Sequence, residues 1–243
     1  MFRNQNYRVL VIEENASLSE SITTQLQSLG NTPIIASNVE AGLKLLCQES
    51  PDIILLSSQI SRPNPLDMCQ HIRRESAAPI VLFNAPNNED DLVAAFEAGV
   101  EDYVSSPLSL RGLMARTQAI LKRVSAYSLL GSITAPNYPP SEPDSILHAG
   151  DVKLDLTSCR AEINDRTVTL TPNEFRLLAI LMKVPGEVFT REELRRRVWP
   201  DDKHSLHLVE VHIANLRSKI EEDAHHPQYV VTVRSRGYKF AEV

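Results

Sequence analysis

The first half of the chain places polar residues immediately after short apolar runs. YRVLVI at 7–12 and DIILL at 52–56 are two of these runs, and their unbroken apolar character is typical of parallel strands buried on both faces. The polar residues after the runs are Glu13, Glu14, Ser57, Asn84, Ser105 and Ser106. We expect them to share one crevice, because the carboxyl ends of parallel strands meet at one edge of the sheet. The uncharged rim formed by Ser57, Ser58, Asn84, Ser105 and Ser106 could bind a small ligand, although we favour a hydrogen-bond network that locks a single conformation.

A second chemically distinctive stretch runs from His207 to Phe240. It opens with a helical pattern whose apolar face is formed by Leu208, Val211, Leu216 and Ile220, with Val209 and Ile213 on its shoulders. A β-rich segment follows, and Arg234 and Arg236 flank a turn that ends in Gly237. A helix beside a basic hairpin suits a DNA groove and its phosphates. Taken alone, the pattern fits an ordinary amphipathic helix with a solvated face equally well.

Composition excludes several classes of protein. Of the 243 residues, 42% are hydrophobic and 23% are charged, as in globular proteins. No apolar run approaches a membrane span, no signal-peptide core is present, and the three widely spaced cysteines predict reduced thiols. We find no nucleophile–base pair, metal cluster or phosphate-binding glycine loop, so we expect neither an enzyme nor a cofactor or metal site.

Charge is divided unevenly along the chain. Residues 150–243 hold 15 basic and 15 acidic residues, so the net charge of −6 belongs entirely to the preceding part. A neutral second half is less basic than nucleic-acid binding would ideally require. Its arginines and lysines are nevertheless clustered, as at Arg195–Arg197, and a local patch can bind phosphate even where the total charge is zero.

The periodicity of the first 124 residues predicts five strands alternating with five helices. The strands are 7–12, 33–36, 52–56, 79–83 and 102–104. We expect a capping box at Ser17–Glu20 to start the first helix and Ser109 to cap the last, which continues to Arg123. Strict alternation of this kind predicts a doubly wound parallel α/β sheet as a first domain, residues 1–124.

The second half of the chain has a different pattern. Residues 125–147 are rich in proline and serine, which predicts a linker. Short strands at 152–156, 160–163 and 167–170 precede capping boxes that begin at Thr171 and Thr190, and the helix and hairpin of 207–240 complete the domain. A small sheet, three helices and a hairpin predict an α+β winged helix-turn-helix domain over residues 148–243.

The first domain resembles the receiver domain of bacterial two-component response regulators. The resemblance rests on the strings PDIILL at 51–56, CQHIR at 69–73 and EAGVEDYV at 97–104. In receivers, an aspartate after the third strand takes phosphate from a histidine kinase, an acidic pair after the first strand binds magnesium, a threonine or serine follows the fourth strand and a lysine follows the fifth. The positions that correspond to these residues are Glu13, Glu14, Ser57, Asn84 and Ser106.

Three of those positions depart from the receiver pattern. Ser57 replaces the phosphate-accepting aspartate, Asn84 the threonine and Ser106 the lysine. A serine hydroxyl cannot form an acyl phosphate, and magnesium loses one anionic oxygen ligand. We therefore expect a degenerate receiver without aspartate phosphorylation, and with weak or absent magnesium binding.

The resemblance also implies a symmetric dimer through the fourth helix, fifth strand and fifth helix. Its matching positions are Leu92, Glu101, Asp102, Arg111 and Arg116. Leu92 and Gly112 replace the two partners of one ion pair of the family, so neither charge is left alone. The alternative is a set of solvated charges, each of which contributes little.

The second domain resembles the DNA-binding domain of the OmpR/PhoB subfamily of response regulators. The strings LTPNEF at 170–175, TREEL at 190–194, VEVHI at 209–213 and TVRSRGY at 232–238 carry this resemblance. It implies that the helix from His207 enters the major groove while the hairpin reaches phosphate and the minor groove. The DNA-binding residues implied are Trp199, His207, His212, Asn215, Arg217, Lys219, Thr232, Arg234, Arg236 and Tyr238. Asn215 could read adenine, whereas Trp199 and Tyr238 are equally well explained as core residues.

Together the two resemblances imply a cytoplasmic transcription regulator that binds double-stranded promoter DNA, and the departures at Ser57 and Ser106 predict that it does so without a phosphorylation switch. We expect a homodimer formed through the receiver-like domain, with RNA polymerase as a further candidate partner and no association with a membrane. The alternative is that the receiver-like domain senses a ligand or a protein and controls DNA binding through that signal.

Overall fold

The computed structural model describes residues 6–61, 64–127, 146–199 and 206–242. The chain forms two compact units, Met1–Lys122 and Arg123–Val243. Most of the predicted linker, residues 128–145, lies outside the described residues.

The first unit is a five-stranded parallel sheet with five helices, and this part of the predicted fold is confirmed. The strands are β1 Arg8–Ile12, β2 Thr32–Ala36, β3 Ile53–Ser57, β4 Ile80–Ala85 and β5 Asp102–Ser105, in the spatial order β2-β1-β3-β4-β5. The helices are α1 Ala16–Ser28, α2 Val39–Glu49, α3 Pro65–Glu75, α4 Glu89–Glu97 and α5 Leu110–Tyr127. The strand order reverses between β1 and β3, so the residues after these strands flank the crevice of an open α/β sheet.

Asparagines start four of the helices in this unit. The Asn15 side chain accepts a hydrogen bond from Leu18 N at 3.1 Å, so α1 begins at Ala16 and the predicted capping box at Ser17–Glu20 is wrong. Asn38, Asn64 and Asn88 cap α2, α3 and α4 in the same way. An asparagine oxygen satisfies an N–H group that has no partner within the helix, which fixes where the helix begins.

The second unit begins with a four-stranded antiparallel sheet. Its strands are β6 Ile146–Ala149, β7 Val152–Asp155, β8 Arg160–Ile163 and β9 Arg166–Val168. Strand β6 pairs Ile146 with Asp155 and Ala149 with Val152. The predicted linker is therefore too long at its C-terminal end, since residues 146 and 147 already belong to the sheet.

Three helices and a hairpin complete this unit. They are α6 Pro172–Met182, α7 Arg191–Val198, α8 His207–Ile220, β10 Val230–Val233 and β11 Gly237–Phe240. The six apolar residues predicted for one side of α8 are all buried. Gly237 has φ +154°, and a Cβ at this position would lie 1.9 Å from the carbonyl oxygen of Phe189, so only glycine fits where β11 meets the segment before α7.

Candidate nucleic-acid interface and receiver crevice

Ser57 ends β3 and is fully buried. Its Oγ accepts a hydrogen bond from Gln59 N at 3.3 Å, so the hydroxyl shapes the turn that follows the strand. The next residue, Ser58, donates from Oγ to the carbonyl oxygen of Asn84 at 2.7 Å. The position implied for phosphate acceptance thus lies in a network of neutral hydrogen bonds.

Glu13 and Glu14 follow β1 but have different surroundings. Glu13 is only 5% exposed, and its Oε1 accepts from Asn15 N at 2.8 Å. Its Oε2 is buried and accepts no hydrogen bond from the part of the chain that the structure describes. Glu14 is exposed and accepts from both the backbone N and the Oγ of Ser61, at 3.2 and 2.7 Å.

Three consecutive carbonyl groups at the end of β4 accept hydrogen bonds from three separate places. Asn84 O accepts from Ser58 Oγ at 2.7 Å, Ala85 O from Ser106 N at 2.8 Å, and Pro86 O from the hydroxyl of Tyr103. Asn84 itself adopts the left-handed conformation, with φ +58°, which asparagine tolerates better than most residues. This segment, residues 84–86, is therefore fixed to the turn after β3, to Tyr103 within β5 and to Ser106 immediately after β5.

The crevice does not suit the magnesium ion that the receiver fold implies. Magnesium requires several oxygen ligands, usually including carboxylates, in near-octahedral geometry. Here both oxygens of Glu14 are engaged by Ser61, one oxygen of Glu13 is engaged by Asn15, and Ser57 offers only a neutral hydroxyl. Within the described residues, no group of three or more histidine, cysteine, aspartate or glutamate side chains could hold a metal ion.

The predicted dimer residues lie on α4, β5 and α5, except Glu101, which immediately precedes β5. Leu92 is half-buried on α4, Arg111 is exposed on α5, and Glu101 and Asp102 are 3% and 6% exposed. Arg116 donates from Nη1 to Oδ1 of Asp102 at 2.8 Å, so this acid–base pair forms within the chain. A dimer in which Arg116 paired with Asp102 of the other subunit would first have to break this pair within the chain.

Arg217 and Lys219 on α8 contact their own domain. The guanidinium of Arg217 donates to Val230 O at 2.6 and 2.8 Å and to Thr232 Oγ1 at 2.8 Å, which joins α8 to β10. Lys219 Nζ lies 2.7 Å from Oε2 of Glu174 on α6. The sequence indicated DNA contacts for both cations, which stay predictions, whereas in this structure both side chains hold α8 to neighbouring elements of their own domain.

Three other predicted contact residues are buried. Trp199 and His212 are each 2% exposed, and their ring centroids lie 5.1 Å apart. Tyr238 is 5% exposed, its burial raises its pKa, and the guanidinium groups of Arg191 and Arg217 lie 5.1 and 5.6 Å from its ring centroid. These three rings therefore belong to the packing around α8 and the hairpin, and their contact with DNA stays a prediction.

The remaining predicted DNA-binding residues reach the surface to different extents. His207, Thr232, Arg234 and Arg236 are exposed, and Asn215 is half-buried. Arg234 and Arg236 surround the hairpin turn at Ser235, whose φ is +60°. The two exposed cations of the predicted set thus lie on the hairpin and not on α8.

Sequence reasoning missed two carboxylates of this region. Glu210 on α8 accepts from Arg191 Nε at 2.7 Å and lies 3.1 Å from His207 Nδ1. Glu221, just after α8, accepts from the backbone N atoms of Gln228, Tyr229 and Val230 and so shapes the connection to β10. The spacing of His207 and Glu210 by three residues on a helix was an available signal, whereas nothing local indicated the role of Glu221.

A receiver-type parallel sheet joined to a winged-helix domain defines the class of response regulators that bind DNA. The response regulator receiver domain family matches residues 9–118, and the family of transcriptional regulatory protein C-terminal domains matches residues 165–240. The chain belongs to the OmpR/PhoB-type DNA-binding response regulators. Such regulators are not enzymes, in agreement with the prediction from the sequence.

Individual relatives match along almost the whole chain. The DNA-binding response regulator MtrA of Mycobacterium tuberculosis is 35% identical over 237 residues, which is 96% of each chain. The probable transcriptional regulator ycf27 of Pyropia yezoensis is 32% identical over 243 residues, with coverage of 99% of this chain and 97% of its own. A solved structure of a RitR mutant has a TM-score of 0.77 at 22% identity and covers 98% of this chain and 100% of its own, which supports the fold. The described part of the chain has no helix that is both long and apolar enough to span a membrane.

Proposed function

We propose that this response regulator controls transcription without phosphoryl transfer to its receiver domain. The observation that carries the proposal is the hydroxyl of Ser57, fully buried at the end of β3 where the resemblance expects a carboxylate. A hydroxyl cannot form an acyl phosphate. Ser106, at the lysine position, also supplies no cation to balance phosphoryl oxygens. Promoter DNA and RNA polymerase would be the partners and the cytoplasm the location, as is expected of such a regulator.

The hydrogen bonds of residues 84–86 support a fixed receiver. A phosphorylation switch needs an element with two arrangements whose balance the phosphoryl group changes. In this receiver, the carbonyl groups of Asn84, Ala85 and Pro86 are all held by neutral donors of the protein itself. Residues 84–86 are therefore held in one arrangement without the help of a phosphoryl group.

The test measures phosphate incorporation and DNA affinity on the same protein. We expect no incorporation from acetyl phosphate into the wild-type protein and the same promoter affinity with and without the donor. The matched control is the double variant Ser57→Asp and Ser106→Lys, which restores the acceptor and the cation and should gain incorporation. A hydroxylamine-sensitive acyl phosphate on the wild-type protein, together with tighter promoter binding, would contradict the proposal.

We further propose that the protein is a homodimer through α4, β5 and α5. Support comes from two positions. Leu92 stands on α4 where the resembling family has a basic residue, and Gly112 stands on α5 where the family has the glutamate that pairs with it. Sedimentation velocity at micromolar concentration should show a dimer. Leu92→Lys, which introduces a cation without its acidic partner, should shift the protein towards monomer. A monomeric wild-type protein would refute this assembly.

A second candidate function is a receiver that responds to a signal other than phosphate. The buried Oε2 of Glu13, which accepts no hydrogen bond from the described residues, favours a ligand that brings a donor or a cation to the crevice. Thermal unfolding with ammonium or guanidinium salts at low concentration, compared at equal ionic strength, tests it. Stabilisation of the wild-type protein but not of Glu13→Gln would support this candidate, and equal responses of the two would remove it.

A further inference from the structure

Helix α8 presents a narrow outer stripe that we define as His207, Glu210, Ala214 and Ser218. The spacing of three, four and four residues places these side chains on one side of the helix, opposite the buried residues Val209, Leu216 and Ile220. Ala214 and Ser218 are exposed. The outer stripe is thus the side of α8 that is available to a DNA groove.

The outer stripe carries no lysine or arginine. Its acidic member, Glu210, is engaged through Oε1 by Arg191 and through Oε2 by His207. The two cations of α8, Arg217 and Lys219, are directed to Val230 and Glu174 inside the domain. Helix α8 therefore contributes its shape and short side chains to the groove rather than positive charge.

The exposed arginines of the hairpin supply what α8 lacks. Arg234 and Arg236 are both exposed beside the turn, so they can neutralise phosphate groups. Phosphate contacts fix the position of a protein on DNA, whereas contacts to base edges provide sequence information. In this domain the two tasks fall on different elements, the hairpin and the outer stripe.

We infer that Ala214 is a specificity-determining residue, whose methyl group packs against the C5-methyl of a thymine in the major groove and selects A·T pairs there. Guanine is most often read by arginine or lysine, and the outer stripe offers neither, whereas alanine is suited to the thymine methyl. Ser218 donates its hydroxyl hydrogen to Asn215 O at 2.7 Å, so this hydrogen is directed to the helix backbone. The side chain is also short, which lets the helix approach the bases. The inference rests on the DNA-binding class and is independent of phosphorylation.

The test removes single methyl groups from the DNA. A duplex selected by the full-length protein from a random library is resynthesised with deoxyuridine in place of one thymine at a time. At one thymine or more we expect affinity to fall roughly four-fold, the value of one buried methyl-sized contact. Ala214→Gly should bind thymine and uracil equally at that position, while Arg234→Ala should weaken binding to both duplexes by the same factor.

A second variant keeps the test decisive if Ala214→Gly unfolds the helix. Arginine is a good helix former and residue 214 is exposed, so Ala214→Arg should fold normally. It should change the preferred base at the same position from thymine to guanine. The inference is overturned if no thymine-to-uracil change weakens wild-type binding, if the loss persists in Ala214→Gly, or if Ala214→Arg selects the same bases as the wild type.

Discussion

Lys219 Nζ lies 2.7 Å from Oε2 of Glu174, and this ion pair joins α8 to the first turn of α6. The same carboxylate oxygen accepts from Thr171 N at 2.8 Å, so the ion pair is added to the capping box of α6. The Glu174 side chain is 2% exposed and that of Lys219 is 29% exposed. A carboxylate this deeply buried depends on its partner, because an isolated charge pays a large desolvation cost.

Removal of the Lys219 ammonium should destabilise the DNA-binding domain. Lys219→Met leaves Glu174 without its cation, and we expect the free energy of unfolding to fall by about 1–3 kcal/mol, less than for a fully buried pair because Lys219 is partly exposed. Urea denaturation measures the change. Arg196→Ala, whose exposed contact with Glu192 spans 3.9 Å, is the control and should have little effect. A loss of stability no larger than that of the control would show that the ion pair is not structural.

Lysine should not replace Arg217 without a loss of stability. The planar guanidinium of Arg217 bonds Val230 O twice and Thr232 Oγ1 once, and it lies 5.6 Å from the ring centroid of Tyr238. A lysine ammonium lacks this forked geometry, so Arg217→Lys and Arg217→Ala should both lower the melting temperature. The salt dependence of DNA binding should keep its slope in both variants. A slope reduced by about one, with an unchanged melting temperature, would instead identify Arg217 as a phosphate contact.

The sequence predicted the first unit well because its signals are local. Buried parallel strands such as β3 need unbroken apolar runs, and these can be recognised without knowledge of the partner strand. Strand β6 was missed, since it is short and half-exposed and directly follows a proline-rich segment. The start of α1 was misplaced because both Asn15 and Ser17 are good capping residues, and only the backbone geometry shows which one caps the helix.

The site was predicted less well, because its decisive contacts join residues far apart in the sequence. Periodicity correctly gave the buried side of α8, but it could not show that Lys219 pairs with a glutamate 45 positions away or that Arg217 bonds a strand 13 positions away. A charged residue on an amphipathic helix is assigned to solvent or ligand by default, whereas tertiary packing can direct it inward. For the same reason Glu210 and Arg191, 19 positions apart, were not connected.

Glu210 should make the DNA-binding domain sensitive to acid. Its pKa lies below the ordinary value of 4.5, first because His207 hydrogen-bonds to its carboxylate and then because Arg191 does so. A lowered pKa in the folded state means that ionised Glu210 stabilises the fold above pH 4.5, and that this contribution is lost as the pH falls through the lower folded value. The melting temperature of Glu210→Gln should therefore lie below that of the wild type at pH 7 and approach it at pH 3. The exposed Glu222→Gln is the control, and a difference that stays constant with pH would contradict the prediction.

The hairpin arginines should contribute affinity without sequence preference. Arg234→Ala and Arg236→Ala should each weaken binding by a similar factor on selected and on random duplexes, and each should reduce the salt slope by about one. The melting temperature should not change, since both side chains are exposed. Fluorescence anisotropy at several salt concentrations gives affinity and slope together. A loss confined to the selected duplex would mean that the arginine reads a base.

The three cysteines should differ in reactivity in an order set by burial. Cys69 on α3 is fully buried, and burial raises its pKa to about 12. Cys159 is exposed, but partial desolvation of its thiol raises its pKa to about 11, and the negative charge of Asp155 raises it further. Because the thiolate is the reactive form, iodoacetamide at pH 8 should label the exposed Cys47 first, Cys159 slowly and Cys69 only after unfolding in urea. Peptide mass spectrometry over a time course measures the order, and rapid labelling of Cys69 in the native protein would show that the packing of α3 against the sheet opens readily.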